Sequence, residues 1–112
     1  MATRTRQQSP TEAARNFAAI ARRFPHVQQI LLENGQEPCI WTVIAAPPFE
    51  NDYRYAVYNA QRDLLRRPDT PLLDFRLVNT NEIVVPLDQV VPAQAVLIFE
   101  RRDSVKVVDA ES

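Results

Sequence analysis

Nine prolines and a single glycine divide this chain of 112 residues into short segments. Proline fixes φ at about −65° and has no backbone N–H, so it stands at the edges of helices and strands rather than inside them. Six prolines fall where the hydrophobic pattern changes or stops: Pro10, Pro25, Pro68, Pro71, Pro86 and Pro92. We interpret them as the boundaries of secondary-structure elements.

The single glycine limits what the backbone can bind. Loops that cradle phosphate need several glycines, because the backbone must approach the ligand closely and adopt positive φ. Nucleotide binding by a glycine-rich loop is therefore excluded. Gly35 follows Asn34 between two apolar segments, and Asn-Gly is typical of the type I′ turn of a β-hairpin. We predict a hairpin with this turn.

The first helix is predicted to begin at Pro10 and to end before Pro25. Ser9 stands three residues before Glu12, which is the spacing of a capping box. Apolar residues then recur on one face at helical spacing: Ala13, Phe17, Ile20 and Phe24. This face should pack against the rest of the domain.

Two strands, a second helix and a third strand follow. Residues 26–33 and 39–45 form the two strands, and the second of them is apolar on both faces apart from Thr42, as in an interior strand. Residues 52–67 show the apolar spacing of a helix, and residues 72–78 alternate like a half-buried strand. If both flanking strands join one sheet, the second helix connects them as a right-handed crossover.

The remaining segments complete the fold class. Residues 83–85 are an optional short strand, residues 86–92 are loop-like, and residues 95–99 form the last strand. The element order is α-β-β-α-β-(β)-β. We therefore predict an α+β fold with a mixed, largely antiparallel sheet of four or five strands and two helices.

The composition fits one compact domain. Hydrophobic residues make up 46% of the chain, and a domain of this size buries roughly two-thirds of the surface that its unfolded chain exposes. We place the domain at residues 9–102, after a polar and mobile tail over residues 1–8. Residues 103–112 are interpreted as a C-terminal tail or a short edge strand.

The charge balance bears on the partners. The formal net charge of −1 gives no reason to expect a polyanionic partner such as nucleic acid. The charge is uneven, however, because residues 1–24 contain five arginines and one acidic residue. Solvated charge is the favoured explanation, with self-association or a weak anionic contact as alternatives.

The cysteine count and the apolar segments bear on the location. Cys39 is the only cysteine, which excludes an internal disulfide and a cysteine-rich metal site. The first ten residues lack the apolar core of a secretory signal, and no segment approaches the roughly 18 apolar residues of a membrane span. We expect a soluble, cytoplasmic protein without a membrane partner.

The junction before the second helix is one candidate ligand-binding region. Ligands often bind beyond the carboxyl ends of strands, where a helix N-terminus supplies positive potential. Here Glu50, Asn51 and Asp52 place oxygen atoms beside those N–H groups, and Pro47-Pro48 removes two donors. We interpret the segment as a rigid, capped junction; the alternative is a site for a cation or a metal rather than an anion.

The outer face of the second helix is a candidate contact surface. Four residues share a ridge opposite the apolar stripe: Tyr55, Asn59, Arg62 and Arg66. Tyrosine beside arginine is a mixture that stacks bases and contacts phosphate. A solvated face explains the same residues, and contact with nucleic acid or with a protein are the alternatives.

Asp74 and Arg76 project from one side of the third strand. If that side is covered, the two charges must pair, because unpaired burial is costly, and a buried pair in a groove is a ligand-binding candidate. If the side is open, they are ordinary strand surface, which is the favoured interpretation. Together with Glu50 and Asp52 they complete the candidate ligand-binding set.

The histidine, the cysteine and the serines of the chain lie at positions that do not suggest catalysis. His26 is the only histidine, and at the start of the first strand a structural role is favoured. Cys39 lacks an activating partner in the sequence, so we expect a buried, inert thiol. Ser9, Ser104 and Ser112 lie in a helix cap and in the tail, which argues against a serine nucleophile. We assign no catalytic residue, no metal ligand and no cofactor.

Two functional hypotheses follow. The favoured one is a non-enzymatic protein-interaction module that self-associates, with a homodimer as the expected form, because apolar strands need their edges covered. The alternative is a small-molecule-binding protein or enzyme with a groove near Glu50, Asp52, Asp74 and Arg76.

Overall fold

The computed structural model describes residues 7–101, which form two α-helices and a four-stranded mixed sheet. The elements in chain order are α1 (Pro10–Ala21), β1 (Val27–Glu33), β2 (Cys39–Ile44), α2 (Asp52–Leu65), β3 (Asp74–Asn79) and β4 (Val96–Glu100), with a 3₁₀ turn at Leu87–Gln89 before β4. The predicted α+β class is confirmed. The predictions for residues 1–6 and for the C-terminal tail or edge strand fall outside the described residues.

The strands lie in the order β3-β2-β1-β4. β1 pairs antiparallel with both β2 and β4, whereas β2 and β3 pair in parallel. The parallel pair is the one that the strand–helix–strand order suggests, and α2 connects its two strands. In the described sheet, β3 and β4 are therefore the two edge strands.

The capping box predicted for α1 is present. The Glu12 N–H donates to the Ser9 hydroxyl at 3.1 Å, and the Ser9 N–H donates to the Glu12 carboxylate at 2.9 Å, so two free backbone donors at the helix start are satisfied. Gln8 falls within the predicted tail, but it is buried and its N–H donates to the Asp69 carbonyl at 2.7 Å. The buried face of α1 consists mainly of alanine: Ala13, Ala14, Phe17, Ala18 and Ala21.

The main core lies between the two helices and one face of the sheet. β1 contributes Ile30 and Leu32, and β2 contributes Ile40 and Ile44. α2 packs into the same cluster through one stripe of its surface: Val57, Ala60 and Leu64. Burial of each large aliphatic side chain contributes roughly 2 kcal/mol, so this layer supplies most of the driving force for folding.

The opposite face of the sheet is partly covered by the connection between β3 and β4. Val43 and Val78 are buried but lie outside the main cluster, as strand alternation from Ile44 requires. Leu31 of β1 lines a recess of about 480 Å³ together with Val91 of this connection. The sheet therefore has helices on one face and an irregular segment on the other.

Two local predictions are wrong. The optional strand over residues 83–85 is not formed, because these residues make a bend in which Val84 is almost fully exposed. The type I′ turn at Asn34-Gly35 is not formed, because neither residue has the positive φ that this turn requires. Residues 34–38 form a longer loop instead, and at its end the Pro38 carbonyl accepts a hydrogen bond from the first residue of β3 at 2.9 Å.

Candidate functional site

The carboxyl ends of the parallel strands are tied together by the buried side chain of Asn79. The Ala46 N–H donates to Asn79 Oδ1 at 3.2 Å, and Asn79 Nδ2 donates to the Ala46 carbonyl at 3.1 Å. Asn81 Nδ2 donates to the same carbonyl at 2.9 Å. The segment that leaves β2 is thus held against the end of β3, which determines where the following residues lie.

Glu82 connects this turn to the start of α2. Its carboxylate accepts a hydrogen bond from the Phe49 N–H at 2.7 Å and forms an ion pair with Arg54. The hydrogen bond from Arg54 and, after it, the one from the Phe49 N–H hold the pKa of Glu82 below its usual value. The hydrogen bond to Glu82 in turn raises the pKa of Arg54, so both groups are charged at neutral pH.

Phe49 has a backbone conformation that is rare for a bulky residue. Its φ is 64°, in the left-handed region, and its side chain is 85% exposed. Positive φ in such a residue costs on the order of 1–3 kcal/mol and persists only where the surroundings impose it. Two contacts hold the segment in place: the Phe49 N–H is bonded to Glu82, and Ala46 is bonded to Asn79.

The capping interpretation of this junction is only partly right. Asn51 is the N-cap residue, but its backbone is helical and its side chain makes no capping hydrogen bond within the described residues. Asp52 lies in the first turn, where the helix dipole favours a carboxylate. Glu50 and Asp52 are both exposed, and neither belongs to an ion pair formed within residues 7–101. The junction therefore presents two carboxylates to solvent.

The ridge predicted on α2 is exposed along its whole length: Tyr55, Asn59, Arg62 and Arg66. Arg62 donates a hydrogen bond to the Asn59 side chain, so part of the ridge is bonded internally. Tyr58 widens the ridge, and its ring centroid lies 6.5 Å from that of Tyr55. The ridge is thus aromatic at the end near Phe49 and basic at the other end.

Asp74 and Arg76 form an ion pair at 3.7 Å on the exposed side of β3, where an ion pair contributes little stability. Their exposure fits the interpretation of Asp74 and Arg76 as ordinary strand surface. Asp74 pairs with Cys39 at the start of β2, whereas Glu50 follows the end of β2. Five residues of strand at about 3.3 Å each separate these ends by roughly 17 Å. The structure does not bring Asp74 and Arg76 together with Glu50 and Asp52.

Two recesses on the surface differ in size and in their distance from the residues proposed from the sequence. The one beside Asp74 has a volume of about 240 Å³ and is lined by Gln36, Glu37, Pro38, Leu72, Leu73 and Asp74. A pocket for a drug-sized ligand has roughly 300–1,000 Å³, so this recess is small. The recess of about 480 Å³ on the opposite face of the sheet falls within that range, and it contains none of the four residues proposed from the sequence.

The single histidine is built into the fold. The His26 Nε2–H donates to the Tyr53 carbonyl at 3.1 Å, and the His26 ring lies against the rings of Phe24 and Tyr53. Burial lowers the pKa of His26 below its usual value, and the charge of Arg101 acts in the same direction, which together outweigh the effect of the hydrogen bond. The imidazole joins the start of β1 to the start of α2.

The single cysteine is a buried thiol. Burial of Cys39, together with the nearby Asp74 and Glu33 carboxylates, raises its pKa to about 11. The thiolate is the reactive form of cysteine, so this side chain is not activated as a nucleophile at neutral pH.

Sequence reasoning missed Phe49, Arg54 and Glu82. Phe49 follows two prolines and precedes three polar residues. This pattern is a signal for an exposed aromatic residue in a loop. Glu82 lies 33 residues from Phe49 and 28 residues from Arg54, and no local pattern connects positions so far apart.

Within residues 7–101, no group of three or more histidine, cysteine, aspartate or glutamate side chains is placed to hold a metal ion. None of the helices there is long and apolar enough to cross a bilayer. Comparison of the chain with protein-family models, with curated proteins and with solved structures gives no significant match. Its function must therefore be inferred from its own surfaces.

Proposed function

We propose that this chain is a non-enzymatic protein-interaction module that self-associates into a homodimer through the outer edge of β4. The proposal includes a cytoplasmic location, which the single cysteine favours because disulfide-rich frameworks belong to oxidising compartments. The observation that carries the proposal is a difference between the two edges of the sheet.

The β3 edge has features that discourage pairing with another strand. Asp74 and Arg76 are exposed on it, and Pro71 stands shortly before its first residue. Charged side chains and proline are the means by which natural sheets protect their edges from further strand addition. The β3 edge is therefore a poor candidate for an interface.

The β4 edge lacks these features except at its last residue, Glu100. Its first four residues, Val96, Leu97, Ile98 and Phe99, are all apolar, and the strand contains no proline. Among the strands of residues 7–101, only β1 pairs with β4, so alternate backbone N–H and C=O groups of β4 point away from the sheet. An apolar edge with open backbone groups is a template for another strand, which supports the proposal.

A second copy of the chain suits this edge. A two-fold axis beside β4 pairs the strand antiparallel with itself, which gives an isologous interface and one continuous sheet. The polar groups at the end of β4 are hydrogen-bonded within the chain: Gln29 Nε2 donates to the Glu100 carboxylate at 3.2 Å, and Arg101 donates to the Val27 carbonyl at 2.8 Å. Antiparallel pairing about the middle of β4 would place Glu100 of one copy beside the apolar start of the other strand, so like charges would not face one another.

The surfaces on both sides of β4 can accept side chains of a partner. On the helical face, a recess of about 190 Å³ lies between the start of α1 and β4 and is lined in part by Thr11, Leu32, Val96 and Ile98. On the other face, the recess of about 480 Å³ adjoins the start of β4 at Ala95. Filling these recesses would add buried apolar area to the backbone pairing, at about 25 cal/mol per Å².

Size-exclusion chromatography with light scattering tests the proposal. We expect the wild-type mass to approach twice the chain mass of 12.8 kDa as the concentration rises. Leu97→Lys places a charge on the edge strand and should return the mass to that of one chain. Leu65→Lys is the matched control, because Leu65 is 49% exposed on α2 and Leu97 is 45% exposed on β4.

The outcomes separate the two parts of the proposal. A wild-type mass that stays near 12.8 kDa at high concentration would contradict the homodimer. A dimer that persists in Leu97→Lys would contradict β4 as the interface and leave self-association in place. Far-ultraviolet circular dichroism of each variant shows whether the fold is retained.

The alternative function, a small-molecule site with a carboxylate and arginine groove, has less support. Glu50 and Asp52 lie at the opposite end of the parallel pair from Asp74, and the recess beside Asp74 is only about 240 Å³ in volume. No observation on the described surface favours a reaction at these side chains.

A further inference from the structure

A second exposed surface surrounds the ion pair of Arg54 and Glu82, on the β3 side of the sheet. It consists of four exposed side chains, which we call the aromatic patch: Phe49, Tyr55, Tyr58 and Val84. Phe49 is joined to the ion pair by its backbone N–H, and Val84 follows Glu82 by two residues. Tyr58 lies one helical turn after Arg54, and its ring centroid lies 6.5 Å from that of Tyr55. Tyr55 and Tyr58 thus flank Arg54 along α2, and Phe49 and Val84 adjoin Glu82 at the end of β3.

The fold strains the backbone at Phe49 without using its side chain for packing. The ring is 85% exposed, so it contributes little to the folded state, whereas its φ of 64° would be unstrained in glycine. Strained residues that the surrounding structure holds in place tend to occur at binding and active sites. A contact made by the exposed ring explains why phenylalanine stands at this position.

The charge around the patch identifies the chemistry of the partner. Arg54 and Glu82 neutralise one another, whereas Glu50 and Asp52 have no ion-pair partner within residues 7–101. At its Phe49 end the patch therefore combines aromatic rings with two uncompensated carboxylates. Arg62, which also has no ion-pair partner within residues 7–101, lies one helical turn beyond Tyr58 at the other end. A phosphate-bearing partner such as nucleic acid would meet like charge at the Phe49 end, and a cationic partner would meet opposite charge there.

We infer that the aromatic patch binds an arginine-bearing segment of a partner protein. A guanidinium group stacks on aromatic rings and also forms two parallel hydrogen bonds to one carboxylate, so it uses both features of the patch at once. An ammonium group of lysine makes the charge contact but stacks less well. Aromatic residues and arginine are also the residue types that dominate the energy of protein interfaces. This surface is separate from β4, so it can be occupied in either state of self-association.

Nuclear magnetic resonance titration of the ¹⁵N-labelled full chain tests the inference, with a glycine-flanked peptide of four arginines as the probe. We expect saturable amide shifts centred on residues 49–58 and 82–85. Phe49→Gly should weaken binding about fivefold, because it removes one stacking partner, while its melting temperature equals or exceeds that of the wild type. If the Phe49 ring served only folding, Phe49→Gly would have a lower melting temperature than the wild type and the same affinity for the peptide.

Further variants and probes separate the contribution of the carboxylates from that of stacking on the aromatic rings. The double variant Glu50→Gln, Asp52→Asn should weaken the arginine peptide severalfold and reduce its salt dependence, and the corresponding lysine peptide should bind more weakly to the wild type. Leu72→Ser, at an exposed apolar residue near the opposite end of the sheet, should bind the arginine peptide like the wild type. Equal affinity of wild type and Phe49→Gly, or patch shifts with an oligouridine and none with the peptide, would overturn the inference.

Discussion

Asn79→Ala should lower the free energy of unfolding by about 1–3 kcal/mol. The Ala46 N–H is buried, and Asn79 Oδ1 accepts its hydrogen bond, so the substitution leaves a buried donor without a partner at a cost of about 1–3 kcal/mol. The Ala46 carbonyl retains the bond from Asn81 Nδ2, and the exposed Asn81 N–H can turn to water. The lost donor–acceptor pair at Ala46 therefore dominates the effect.

Urea unfolding followed by circular dichroism measures this change at one fixed protein concentration, because self-association raises the apparent stability. Asn81→Ala is the matched control. It should lower the free energy of unfolding by less than about 1 kcal/mol, because Asn79 Nδ2 still donates a hydrogen bond to the Ala46 carbonyl. The double variant removes both donors to that carbonyl, so its loss should exceed the sum of the two single losses.

The reasoning about this junction would be refuted by an Asn79→Ala variant whose stability lies within about 0.5 kcal/mol of the wild type, the usual range for an ordinary surface substitution. Strict additivity of the two asparagine substitutions would contradict the shared role of the Ala46 carbonyl.

Two further predictions concern a buried threonine and a partly buried histidine. Thr42→Val should raise the free energy of unfolding by about 1 kcal/mol in urea unfolding, because the buried Thr42 hydroxyl has no hydrogen-bond partner within residues 7–101; a loss of stability would argue for a partner. The folded-state pKa of His26 is lowered, so the unfolded chain takes up its proton first as the pH falls below about 6.5. Stability should therefore decrease from pH 7.5 to pH 5.5, and this decrease should be smaller in His26→Gln; equal decreases would show that another group is responsible.

Local signals in the sequence predict much of this fold. The capping box at Ser9 and Glu12 depends on residues three apart, and the structure forms it as expected. The order of strand, helix and strand likewise anticipates the parallel pair of β2 and β3, because a crossover of this length brings two strands into one sheet. Thr42 stands out in the sequence as the single polar residue of an otherwise apolar strand, and the structure buries it completely.

Features that depend on distant contacts could not be read from the sequence. Asn34-Gly35 is a strong signal for a two-residue turn, yet β1 and β2 pair Glu33 with Cys39, which leaves residues 34–38 as the loop. The Pro38 carbonyl accepts a hydrogen bond from Asp74, 36 residues away, a contact that no local pattern indicates. The attachment of Phe49 to Glu82 spans 33 residues in the same way. Whether Asp74 is exposed depends on which segment covers its side of β3, and only the tertiary arrangement determines that.

The most direct test of self-association through β4 is amide hydrogen exchange of the full chain at low and high protein concentration. Pairing of two β4 strands would protect their outward-facing N–H groups, so exchange within Val96–Glu100 should slow as the concentration rises. The edge strand Asp74–Asn79 serves as the internal reference and should exchange at the same rate under both conditions. Exchange in β4 that is independent of concentration, or slowing confined to β3, would contradict the proposed interface.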